Sequence, residues 1–147
     1  TGDSIYREAT GWYRDQQPKL MPMHRLEAIV AEQRLPPPDL LKIDAQGAEL
    51  DILRGCQSLL SEISLIQLEC SLVQYNTGAP LIGVVIDQLR AWGFLVVAIE
   101  PIVFTAMRSS RFGYPSGAFI PQADVLFAAQ RYCRLERFRD CLAQATP

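Results

Sequence analysis

The chain has 147 residues, 49% hydrophobic and 20% charged, with a formal net charge of −2. That composition suits one globular domain with its own core and excludes intrinsic disorder. The slight acid excess excludes a general nucleic-acid binder, which needs a basic face to neutralise phosphates, and no apolar run nears the roughly 20 residues of a membrane-spanning helix.

In chain order, residues 1–19 are polar with scattered aromatics and read as a surface segment, a hairpin or lid. LMPMHRL (20–26) has strand character, confined to a sheet edge by Pro22. LEAIVAEQR (26–34) places Leu26, Ile29, Val30 and Gln33 at i, i+3, i+4 and i+7, a short amphipathic helix that Pro36, Pro37 and Pro38 stop. DLLKIDA (39–45) is a short apolar run bounded by prolines and a glycine, a strand. Ala48 to Leu60 reads as one helix with Ile52, Leu53, Cys56, Leu59 and Leu60 on its apolar face.

ISLIQLEC (63–70) is the next strand, and LIGVVIDQLRAW (81–92) the next helix, closed by Gly93. FLVVAIE (94–100) is a strand, 101–121 a long irregular stretch, ADVLFAA (123–129) a last strand and Tyr132 to Ala143 a terminal amphipathic helix. Strands alternating with helices imply βαβ crossovers and a parallel sheet. The nearly continuous apolar strands suggest burial on both faces. The last strand follows a loop and is expected to pair antiparallel at the edge. The expected domain organisation is a lead-in segment (1–38), the sheet domain (39–130) and a C-terminal helix (131–147).

In an open α/β sheet, ligands bind beyond the carboxyl ends of the strands. Three predicted strands end in carboxylates, Asp44, Glu69 and Glu100. If the strands are neighbours, these acids share one crevice. Gly47 then lets the backbone turn into the following helix. Lys42 lies two residues before Asp44, on the same strand face. A lysine in a buried strand needs a partner, and an ion pair with Asp44, Glu49 or Glu69 is the expected one. Glu49 sits in the first helical turn, where an acid suits the helix dipole. His24 beside the predicted edge strand is a surface residue or a base carried by a lid. Four scattered cysteines (Cys56, Cys70, Cys133 and Cys141) and one histidine offer no zinc-site spacing. They read as reduced, mostly buried thiols. No charged-then-apolar leader marks the N-terminal residues, so the expected location is cytoplasmic. There is no G-x-G-x-x-G phosphate loop and no G-x-S-x-G elbow.

LLKIDAQGAELDILRGCQSLL resembles the signature of the FkbM-type methyltransferases, in which a strand reading roughly LKID is followed by V-[EQ]-G-[AY]-E and a helix. MPMHRLEAIV, IQLECS, GAPLIGVVIDQLRAWGF and QADVLFAAQ are similar, in order, to further parts of that family, so the resemblance covers about residues 1–130. It implies an α/β fold: the C-terminal half of a Rossmann-like class I methyltransferase sheet, mostly parallel with an antiparallel last strand. It also implies S-adenosylmethionine as cofactor and O-methylation of a hydroxyl on a sugar, polyketide or other small metabolite. On this expectation LLKIDA is the fourth strand of the full sheet, and the glycine-rich donor loop and the ribose-holding acid lie before Thr1. The alternative is a non-catalytic remnant acting as a packing module.

The candidate catalytic residues are Asp44, Lys42 and His24. Those for the cofactor are Asp44, Gln46 and Gly47, and those for the substrate are Glu69, Glu49 and Glu100. The expected partners are a small-molecule acceptor and the missing N-terminal half or a second subunit, with no metal, nucleic acid or membrane.

Overall fold

A computed structural model of the chain describes residues 4–7, 9, 17, 19–104 and 119–132. The predicted terminal helix over 132–143 lies almost wholly outside these residues, and so does most of the segment 1–19 read as a hairpin or lid.

Helix α1 (Leu26–Glu32) leads into strand β1 (Leu40–Ile43), followed by α2 (Glu49–Arg54), α3 (Gln57–Leu60) and β2 (Leu65–Ser71). Helix α4 (Ile82–Ala91), β3 (Phe94–Phe104) and β4 (Phe119–Ala129) complete the described elements. The strands form one open sheet in the order β1-β2-β4-β3. β1 pairs parallel with β2, while β4 pairs antiparallel with both β2 and β3. The last strand is therefore antiparallel, as expected, but it lies inside the sheet. β3 takes the edge, which accommodates Pro101 within it, because an edge proline deprives no neighbour of an N–H bond.

Three further differences from the sequence reading have physical causes. No strand forms over 20–26: residues 19–25 are exposed coil and Leu26 already begins α1. Pro22 lacks an N–H, and Leu20, Met21 and Met23 are exposed rather than packed on a neighbouring strand among the described residues. The helix expected from Ala48 to Leu60 is two helices, broken at Gly55 and Cys56. Gly55 caps α2, its N–H reaching the carbonyls of Asp51 and Ile52, and Cys56 leaves helical geometry at φ −135°. Finally, the described helices seal the sheet on one face only. The crossovers β1→β2 and β2→β3 both advance in the same direction across the sheet, and right-handed crossovers then place α2, α3 and α4 on one side. α1 joins that layer by packing on α3, and α4 packs on β2 and β3.

The core lies between this helical layer and the sheet. Leu50, Leu53, Leu59 and Leu60 from α2 and α3 meet Ile66, Leu68 and Cys70 of β2, and Val85 and Leu89 of α4 meet Phe94, Val125 and Phe127. Burial alternates along β2: Ile66, Leu68 and Cys70 are buried, while Leu65, Gln67, Glu69 and Ser71 on the other face are half-buried. Gly93, with φ +84°, ends α4 as its sequence position suggests.

Candidate functional site at the carboxyl ends of the first two strands

β1 and β2 run parallel in the register Ile43↔Leu68, so Asp44 leaves β1 beside Glu69. Glu69 faces Asp124 of β4, and Asp124 in turn faces Glu100 of β3. The alternation that turns Ile43, Leu68 and Val125 into the core turns these four acids, in one row, to the face the helices leave open. The sequence placed Asp44, Glu69 and Glu100 together. The structure puts Asp124 between the last two, so Glu100 stands two strands from Glu69, about 10 Å away.

The loop after β1 is built around two left-handed residues, Gln46 (φ +51°) and Gly47 (φ +101°). Glu49, only 3% exposed, bends back so that its Oε1 accepts hydrogen bonds from the backbone N–H groups of Ala45 (3.1 Å) and Gly47 (3.0 Å). This buried carboxylate holds the loop from behind, and the bonds bring it to the loop backbone rather than to the open face. The Gln46 carbonyl accepts from the Ser4 hydroxyl (2.8 Å) and from the Asn76 side-chain amide. Gly47 is buried, and a Cβ built there would stand 2.5 Å from the Ala79 Cβ. The space beside Gly47 is thus filled by the loop after β2.

With its backbone held in this way, Gln46 sends its side chain across the acids. Its Nε2 donates to Glu69 Oε2 (2.8 Å) and to Asp44 Oδ1 (3.2 Å). Glu69 is pushed up to about 7, first by burial, then by its hydrogen bond to Asp44 and the charges of Asp44, Asp124 and Glu49. A like-charged row that is partly desolvated takes up a proton rather than carry full charge. Tyr75 in the loop after β2 is raised as well, by burial and by Glu69.

An N-terminal strap crosses both loops. Arg7 O accepts from Thr77 N (2.7 Å), Ala9 N donates to Tyr75 O (2.6 Å), and the Tyr6 hydroxyl donates to Asp51 Oδ2 (2.6 Å). That last bond is the main cause raising the Tyr6 phenol.

The structure therefore brings Asp44, Gln46 and Glu69 together and uses Glu49 and Gly47 to shape the loop. Lys42 is exposed, and no described carboxylate lies within 4 Å of it, so the expected ion pair is absent among the described residues. The cause is topological: among the described residues no strand neighbours the outer side of β1, and the lysine is exposed to water. His24 sits in exposed coil. Its neighbour Arg25 packs near Gly55, at the end of α2 remote from the Asp44 loop, so the structure does not bring His24 to the acids. Asp124, Asn76 and Ser4 were not foreseen. Asp124 carried a signal, a lone acid at the solvent-facing parity of an apolar strand.

A groove at the other end of the sheet, lined by Leu60, Ser61, Trp92 and Arg131, holds no such cluster. Its one cation is occupied, with the Arg131 guanidinium donating to Ile63 O (2.6 Å) and lying over the Tyr132 ring. No helix among the described residues is long and apolar enough to cross a membrane.

An open α/β sheet with helices on one face and acids gathered at its carboxyl ends is the architecture of a partial Rossmann-like methyltransferase sheet. The sequence profile of the Methyltransferase FkbM domain matches residues 2–102, and the chain belongs to this family. The match spans the strap, the Asp44 loop, β2 and α4, and ends within β3, before β4. A search of curated proteins and a search of solved structures each returned no match.

Proposed function

We propose that this chain forms the acceptor side of an S-adenosylmethionine-dependent O-methyltransferase acting on a hydroxyl of a sugar, polyketide or other small metabolite. The observation that carries the reading is the Asp44–Gln46–Glu69 cluster at the exits of β1 and β2, inside the span that matches the family. Acids and an amide at this position suit a ligand that carries an ammonium and a sulfonium, so the residues present fit that part of the donor. No glycine-rich loop follows a strand anywhere in the sequence, and this supports a donor cradle contributed by residues outside these 147. The unpaired side of β1 and the open sheet face are where such residues would dock.

When bound, the donor supplies a methyl carbon activated by its sulfonium. Asp44 is exposed at the strand exit and accepts the proton of the acceptor hydroxyl as the oxygen–carbon bond forms and the carbon–sulfur bond breaks. Gln46 and Glu69 fix the direction of the Asp44 carboxylate. The main contribution is positional, since an in-line displacement is accelerated chiefly by holding the reacting atoms in register.

Calorimetric titration of S-adenosylmethionine into the 147-residue chain is expected to give a dissociation constant no tighter than about 1 mM. Micromolar binding would overturn the division of the site. With the complete domain, a methyl-labelled donor and hydroxylated acceptors, the label should appear in an ether-linked methyl. Label on nitrogen would refute O-methylation, and no transfer to any acceptor would favour the packing-module reading, for which the open side of β1 is the supporting feature.

A further inference from the structure

The geometry points to Gln46 as a positioning residue: its side-chain amide ties Asp44 to Glu69 so that the charge on one carboxyl group acts on the other. The inference rests on the methyltransferase reading for its catalytic meaning, but not for its test.

One amide nitrogen supplies two hydrogens, and here one goes to each acid, at 2.8 Å and 3.2 Å. Such a bridge requires the Gln46 backbone to sit in the left-handed region, where a non-glycine residue is strained. The surroundings hold it there from three directions: Ser4 from the strap, Asn76 from the loop after β2, and Glu49 of α2 on the flanking backbone amides. Two side chains on the Gln46 carbonyl and a third on the amides either side of it serve to aim its side chain.

The charges around Glu69 favour retention of the proton. Asp44 approaches from the loop after β1, Asp124 from β4 and Glu49 from α2, all acidic. Tyr75 faces it from the loop after β2, and Gln67 and Ser71 flank it on its own strand face. Lys42 is the cation on the same sheet face, and it is exposed. With both carboxyl groups ionised, two like charges would share one amide. With one proton, Glu69 donates to Asp44, and the pair carries a single charge whose open end is the exposed Asp44. Without the bridge, Asp44 is free to turn into solvent, and Glu69 no longer feels its charge at close range.

The test is a carbon-13 carboxyl NMR titration of the 147-residue chain, with the Glu69 signal assigned by its loss in Glu69→Gln. Glu69 should titrate near neutrality. Asp44→Asn removes a negative neighbour and should move that midpoint down by about one pH unit or more. In a Gln46→Asn background the same Asp44→Asn change should move it by less than half as much. Asn at 46 suits the left-handed backbone at least as well as Gln, so the fold is kept, but its amide is withdrawn by about 1.5 Å and cannot reach both acids. Gln46→Met, which keeps the length and loses both donors, should uncouple the pair in the same way. An Asp44→Asn shift of equal size in all backgrounds would overturn the inference. So would a Glu69 carboxyl that titrates in the ordinary acid range in the unmodified chain. No donor or acceptor is present, so these outcomes are separate from any failure to transfer a methyl group.

Discussion

Replacing Gly47 by Ala perturbs the loop that aims Gln46, and its cost can be divided into two parts. The backbone at Gly47 has φ +101°, which an L side chain adopts only under strain of about 1–3 kcal/mol. The new Cβ would also stand 2.5 Å from the Ala79 Cβ and 3.8 Å from its Cα. A Cβ cannot rotate out of the way, so the loop after β2 must shift. That loop is held by Ala79 N on Asn76 O (3.1 Å) and by the Gln74 amide on Ala79 O (3.1 Å). Overpacking of this kind costs about 1–3 kcal/mol, and the two contributions together reach about 2–6 kcal/mol.

Gly78 supplies the internal comparison. Its φ is +83°, and nothing lies within 4 Å of the Cβ it would gain, so Gly78→Ala carries the strain without the clash. Urea unfolding followed by circular dichroism should therefore place the Gly47→Ala midpoint below that of Gly78→Ala by about 1 M. Ala79→Gly in the Gly47→Ala background should recover the clash and leave the strain, giving a coupling of about 1–3 kcal/mol in a double-mutant cycle. If the two glycine variants lie within about 0.5 kcal/mol of each other, or if the cycle is additive, the close approach of the two loops is not what Gly47 accommodates.

Asp44→Asn in the complete domain should lower methyl transfer by about 10²-fold, while the free energy of unfolding at neutral pH should not fall, because Asp44 is exposed, has no ion pair with Lys42 among the described residues and raises Glu69 by its charge; a large loss of stability with turnover intact would assign Asp44 to structure. Glu69 binds its proton more tightly folded, at about 7, than at its ordinary value of 4.5, so between those pH values the native state holds more protons than the unfolded state. Stability should fall as pH rises through that window, and Glu69→Gln should flatten this part of the profile; a parallel profile in the variant would contradict the assignment. Burial pushes the Cys56 thiol up to about 11 and the Cys70 thiol to about 12. Both should resist a thiol reagent at pH 8 in the native protein and label fully without reductant in denaturant, and rapid native labelling of either would show the core to be open there.

The chemistry-bearing cluster was legible because two of its members sit at strand exits. Parallel neighbours leave a sheet at the same end, so Asp44 and Glu69 had to meet once LLKIDA and IQLEC were read as adjacent strands. α4 with its Gly93 end was equally plain, since Val85 and Leu89 repeat at i and i+4 and the glycine follows the last turn. The one-sided sheet was less plain, although Gln67, Glu69 and Ser71 at i, i+2 and i+4 carried the alternation that marks a half-open strand. The strap lay within a segment read as a hairpin or lid, but its contacts were not legible. Ser4 meets Gln46 across 42 residues, and no local period encodes a contact of that range.

The direction of Glu49 was hidden for a different reason. An acid in the first turn of α2 satisfies the helix dipole whether its carboxylate faces solvent or turns back. What decides is the pair of backbone N–H groups that the left-handed turn at 46–47 leaves pointing inward. A glycine loop that must cross behind a strand exit needs those donors satisfied, because an unpaired buried N–H costs about 1–3 kcal/mol. A carboxylate two residues after the glycine is the nearest group long enough to do so. The same spacing that made Gly-x-Glu look like a ligand motif is thus the spacing that closes the loop. It leaves Gln46, read from the sequence as a cofactor residue beside Gly47, to carry the contact with the acids, and it turns Glu49, read as a substrate residue, into the loop's backbone clasp.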